Sequence, residues 1–152
     1  MEVSEVLSHK SKNKTVEITS PDATIAASAT ALVERAIGSL VVCDDAGRVL
    51  GILTERDIVR GISEHGQAAL TLEASELMSR AVVCTPKVAV DQIMRVMTNE
   101  RVRHLVVMVG DRIEGVVSIG DVVNSRLNQC ELEVNVLRDY SRARGVATRR
   151  FV

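Results

Sequence analysis

Aromatic side chains are nearly missing from this 152-residue chain: it has no Trp, one Tyr and one Phe, and both rings, Tyr140 and Phe151, fall near the C-terminus. That argues against a single-strand nucleic-acid binder, which stacks successive bases on rings. Any bound base must instead lie between aliphatic side chains. Net charge is as sparse: 19 basic and 20 acidic residues leave −1, no global field to draw in nucleic acid or an anionic membrane. Only the terminal "RARGVATRR" is locally basic, which reads as a solvated tail.

The three cysteines, Cys43, Cys84 and Cys130, are odd in number and widely spaced, with no C-x-x-C. They fit a reducing cytoplasm and give neither a disulfide framework nor a metal site. No run approaches the roughly 18 apolar residues of a membrane span, and "MEVSEVLSHKSKNKTVEI" lacks the apolar core of a signal peptide. A soluble, cytoplasmic protein is expected, with no membrane partner. There is no G-x-G-x-x-G after a strand, no Walker loop and no Ser-His-Asp or Cys-His constellation, so nothing supports a catalytic residue. Cys84, beside Thr85-Pro86, reads as a small buried hydrophobe.

What the chain does have is 46% hydrophobic residues, enough for one domain core, and an internal repeat. "GILTERD" (Gly51–Asp57) returns as "GVVSIGD" (Gly115–Asp121). Each copy predicts a β-α-β-β-α unit. The first opens with the alternating "TVEI" and Ser20-Pro21, and the second with "AVVC" and Thr85-Pro86, both read as a helix N-cap with proline at the first helical position. Helical spacing follows at Ile25, Ala29, Leu32 and Val33, and again at Val90, Ile93, Met94 and Met97. The continuous runs "SLVVC" and "HLVVM" predict strands buried on both faces, each turning back into a hairpin. One copy of about 60 residues would leave a bare apolar face, so the two are expected to pack face to face. The segment "SEHGQAALTLEASELMSR" is too apolar for a flexible linker and predicts short helices. The expected organisation is residues 10–69 and 70–128 as two repeats of one module, and 129–152 as a helical extension with the basic tail. The last helix of the second repeat is read as running on from Gly120 into that extension, and along it Leu127, Cys130, Val134 and Leu137 form a seam that suits either a partner helix or the chain's own domain.

Thr54-x-x-Asp57 and Ser118-x-x-Asp121 each fit a helix capping box. The same geometry places a hydroxyl, free amides and the positive end of a helix dipole where a phosphate could sit, and an Asp can accept from both hydroxyls of a ribose. From the residues alone both readings stand.

Taken with the repeat, "IGSLVVCDDAGRVLGILTERDIVR" and "RVRHLVVMVGDRIEGVVSIGDVV" resemble a tandem pair of cystathionine-β-synthase-type (CBS) domains, in the manner of small stand-alone bacterial proteins. The resemblance implies an α/β fold of two such repeats packed about a pseudo-two-fold axis, binding AMP, ADP or ATP, or alternatively NAD(H), for regulation and without catalysis. It implies ribose hydroxyls on Asp57 and Asp121, and Thr54 and Ser118 near ribose or phosphate. The Asp121 cleft would be walled by Lys14, Thr15, Ile37, Ser39, Val116, Gly120 and Arg103. The Asp57 cleft would be walled by Ser79, Arg80, Val102, His104, Ile52 and Arg56. Backbone at Thr15 and Ala81 would read the adenine edge, while Arg56, Arg80, Arg103 and His104 would converge on phosphates. A homodimer and a separate effector protein are the expected partners. Readings from other classes are an enzyme acting on a nucleotide in these clefts and a nucleic-acid regulator using the basic tail. Two departures from the family pattern stand out: Val106 where proline is usual, and Glu114 where an aliphatic is common.

Overall fold

The structure, a computed structural model, describes residues 1–10 and 15–143. Two three-stranded sheets carry the fold. In the first, β1 (Ile18–Thr19) pairs in parallel with β2 (Ser39–Cys43), which pairs antiparallel with β3 (Val49–Thr54); α2 (Ile25–Glu34) makes the crossover and α3 (Glu55–His65) follows. The second sheet repeats this with β4 (Val83–Cys84), α5 (Val90–Asn99), β5 (His104–Val109), β6 (Arg112–Ser118) and α6 (Ile119–Ala143). The expected α/β order is found twice. All five residues of β2 are buried, as its unbroken apolar run requires. The hairpins turn at Gly47 and Gly110, whose φ of 78° and 59° suit glycine.

The helix starts differ from expectation. Ser20-Pro21 and Thr85-Pro86 begin turns, in which Ala23 N–H donates to Ser20 O and Val88 N–H to Thr85 O. Proline at the second turn position satisfies its fixed φ there. Thr24 caps α2 instead, accepting from Ala27 N, and Ala89 stands at the N-cap of α5. The shift turns Val33 outward, 81% exposed, and leaves Met94 on the surface, while Ile25, Leu32, Val90, Ile93 and Met97 enter the core.

One helix was not anticipated. Helix α1 (Val3–His9) and α4 (Ala74–Leu77) are a further repeated pair, readable afterwards as "SEVLS" and "SELMS". Each packs on the far repeat. Val3 N–H donates to Val88 O and Ser4 N–H to Pro86 O, while Ala74 N–H donates to Ala23 O and Ser75 N–H to Pro21 O. Val3 and Val6 therefore join the core of the second repeat with Ile93 and Leu105, and Ala74 and Leu77 join that of the first with Ile25 and Leu53. A third cluster of Val41, Cys43, Ile52 and Val106 lies between the sheets, the expected face-to-face packing. Val106, at the position where proline is usual, donates its N–H to Val82 O, a bond that proline would forfeit.

Between the repeats run a 3₁₀ turn (Gly66–Thr71) and α4, with no open linker. Helix α6 continues for 25 residues; Leu127, Val134 and Leu137 on it are exposed, so the seam does not fold back on its own domain. No described helix is long and apolar enough to cross a membrane. Apart from Arg142 and Ala143, the basic tail lies outside the described residues, as does Lys14.

Candidate functional site

Both repeated motifs are capping boxes. Thr54 Oγ1 accepts from Asp57 N at 3.2 Å while Asp57 Oδ2 accepts from Thr54 N at 2.9 Å. Ser118 Oγ and Asp121 Oδ2 do the same at 3.2 and 2.8 Å. The register places Thr54 opposite Ser39 and Ser118 opposite His104, so each strand-to-helix junction opens beside the start of its partner strand. Two clefts result, of about 390 Å³ at Asp121 and about 430 Å³ at Asp57, and each draws on both repeats.

The Asp121 cleft gathers Thr15, Ile37, Ser39, Val116 and Ser118, all expected, together with Lys10, which sequence reasoning missed. Lys10 Nζ lies 2.5 Å from Asp121 Oδ2 and donates to Val116 O at 2.7 Å. Recognition of the α1/α4 repeat would have found it, because that pairing carries the end of α1 to the second repeat. Burial would raise the Asp121 pKa, but hydrogen bonds from Lys10 and Ser118 and the charge of Lys10 outweigh burial and hold it below the usual carboxylate range. A carboxyl group depressed on folding stabilises above its unfolded pKa and loses that contribution as pH falls through its folded pKa. Lys10→Met is therefore expected to destabilise the protein at neutral pH, with the deficit shrinking as pH falls below about 4. Urea midpoints at stepped pH check this; a deficit independent of pH would show that the ion pair is not its source.

In the Asp57 cleft, Ile52, Thr54, Arg56, Ser79, Arg80, Val102 and His104 converge as expected. Two placements, those of Arg103 and Gly120, are corrected. Arg103 lines the Asp57 cleft and not the Asp121 cleft. Its carbonyl accepts from Ile119 N as that of Gly38 accepts from Glu55 N, so it is the counterpart of Gly38 at the junction between the clefts, where a side chain can serve only one side. Gly120 sits in the first turn of α6 outside either lining, and Ala81 packs in the layer between the sheets. Thr15 alone of the two expected adenine-edge positions lines a cleft.

His104 lines both clefts, as does Gly38. Burial lowers the histidine's pKa and nearby Lys10 lowers it further, against the opposing pull of Asp121 and Glu55. At neutral pH it is a neutral hydrogen-bonding group rather than a cation. Burial raises the pKa of Cys84, which keeps it a thiol and a poor nucleophile.

The profile of the CBS domain matches residues 3–64 and 74–128. The chain belongs to the CBS domain family. Among solved structures, a CBS-domain containing protein from Agrobacterium tumefaciens is 39% identical with a TM-score of 0.78, covering 82% of this chain and 92% of its own. A putative signal-transduction protein with CBS domains from Burkholderia ambifaria is 29% identical, also at 0.78, covering 84% and 95%. A CBS domain protein from Pyrobaculum aerophilum, complexed with AMP, is 25% identical at 0.72, covering 88% and 99%. A mitochondrial CBS domain-containing protein of Arabidopsis thaliana is 30% identical over 124 residues; the match takes in 78% of this chain and 60% of that protein.

Proposed function

We propose that this CBS pair is a regulatory sensor that binds an adenosine ligand between its repeats, performs no chemistry on it and signals to a separate effector protein. The observation that carries this reading is the pair of clefts, each contributed by both repeats and each ending on an aspartate and a hydroxyl at a helix N-terminus. Such a junction suits a ribose diol with phosphate close by. The AMP bound by the Pyrobaculum relative supports it. AMP, ADP and ATP are the favoured ligands, with NAD(H) the alternative, since its adenosine half presents the same groups. All three cysteines are free, in keeping with a reducing cytoplasm. The exposed apolar residues of α6, including Leu127, Leu132, Val136 and Leu137, favour a homodimer in which this helix meets a second copy.

Calorimetric titration with AMP, ATP and NADH tests the ligand. Asp121→Ala is expected to weaken the bound nucleotide by about 10- to 100-fold, the worth of charge-assisted hydrogen bonds to a diol. Sedimentation of the same protein, whole and truncated after Asn128, is expected to show a dimer that the truncation weakens. No binding of any adenine nucleotide would overturn the sensor, turnover of ATP or NADH would make the protein an enzyme, and a salt-dependent gel shift would favour a nucleic-acid regulator.

A further inference from the structure

The two clefts share a motif but not a chemistry. At Asp57 the carboxylate is spent: Oδ2 accepts from Thr54 N and from Thr54 Oγ1, and Oδ1 accepts from Ser79 Oγ at 2.6 Å and Arg60 at 2.7 Å. Its side chain is buried, and the Thr54 hydroxyl proton is committed to it. At Asp121 the engaged oxygen is Oδ2 and no described residue is hydrogen-bonded to Oδ1; the Ser118 hydroxyl accepts from Asp121 N and lies close enough to the carboxylate to help lower its pKa. An incoming ribose finds an open acceptor at Asp121 and a closed one at Asp57.

Charge divides the clefts in the opposite sense. Among the described residues, the Asp121 cleft has one cation, Lys10, against Glu17, Glu114 and Asp121. The Asp57 cleft has five arginines against three carboxylates, and the guanidinium groups of Arg56, Arg80, Arg101 and Arg103 make no ion pair or hydrogen bond with any described residue. Each of those three carboxylates has an ion-pair partner, Arg35, Arg112 and Lys10, so among the described residues the first cleft offers a phosphate chain no unpaired cation, whereas the second draws it in. The clefts meet at Gly38 and His104, and the space there exists because residue 38 has no side chain: a Cβ would lie 3.0 Å from His104 Nε2.

We propose that one nucleotide occupies both clefts, its adenosine held at Asp121 and Ser118 and its phosphate chain passing between Gly38 and His104 to the unpaired arginines. This rests on the adenosine reading above. It makes the protein selective for a triphosphate over a monophosphate, with one ligand per chain rather than two.

Calorimetry with AMP and ATP on the intact protein tests it. ATP is expected to bind at one site per chain, about tenfold or more tighter than AMP through added charge-assisted contacts. Gly38→Ala adds a methyl group against the edge of the imidazole at an ordinary φ, so the fold should persist. It should close the passage between the clefts and remove the preference, taking the ratio of ATP to AMP affinity from about tenfold to about one. Arg101→Gln, on the surface, should weaken ATP and spare AMP. Two equivalent ATP sites per chain, or a Gly38→Ala variant that keeps the full preference for ATP or loses AMP and ATP equally, would overturn the straddling ligand while leaving the adenosine sensor intact. Failure of both nucleotides to bind would overturn the two together.

Discussion

Asp57→Ala is expected to lower the unfolding free energy by about 2 to 4 kcal/mol, against about 1 kcal/mol for loss of an ordinary helix cap. The difference lies in what the carboxylate holds. It is 3% exposed and accepts from four donors on three parts of the chain: the end of β3 at Thr54, α3 at Arg60, and Ser79 ahead of β4. Removing it strands donors that burial has taken from water, and each buried unsatisfied group costs about 1 to 3 kcal/mol. Arg60 is half exposed and regains water, so its share is small. For a chain of this size the melting temperature should fall by roughly 10 °C. Thermal and urea unfolding check this; a loss no greater than an ordinary cap would mean that Ser79 and Arg60 are incidental neighbours. The variant should still bind AMP if Asp121 carries the ribose.

Much of this was legible in the sequence. The apolar runs of β2 and β5 and the helical spacing ahead of them made the repeat readable, because unbroken β-branched runs suit strands covered on both faces. The capping boxes pointed to helices opening just after Thr54 and Ser118, where α3 and α6 begin. Ser20-Pro21 misled because proline at the first helical position and proline at the second turn position look alike in a sequence, and only the Ala23-to-Ser20 hydrogen bond separates them. Arg103 went to the wrong cleft because periodicity gives the strand start but not which side of a pseudo-two-fold junction a long side chain takes. Lys10 escaped because α1 is seven residues long and its apolar face is completed by the other repeat, a contact that local pattern cannot show.

The opening glycines of the repeated motif make the same point as an expected result. Gly51→Ala should cost about 2 to 3 kcal/mol, in the range for overpacking a rigid site, whereas Gly115→Ala should cost about 1 kcal/mol or less. A Cβ on Gly51 would lie 2.7 Å from the backbone oxygen of Ser79 and 2.8 Å from Met78 Sδ. That oxygen accepts from Ile52 N, and Ser79 N donates back to Ile52 O, both at 2.9 Å, so the backbone segment cannot yield without breaking two hydrogen bonds. Displacing Ser79 also removes a donor from Asp57, which carries the damage into the cleft. At Gly115 the added carbon meets only the end of Leu7, 3.0 Å away on α1, and a leucine can rotate. Alanine also restricts the unfolded chain, which offsets about 0.4 to 1 kcal/mol at both positions alike and so leaves their difference intact. Urea unfolding of the two variants measures that difference directly. Equal losses would show that the Ile52–Ser79 pairing is free to move and does not hold the first repeat in place.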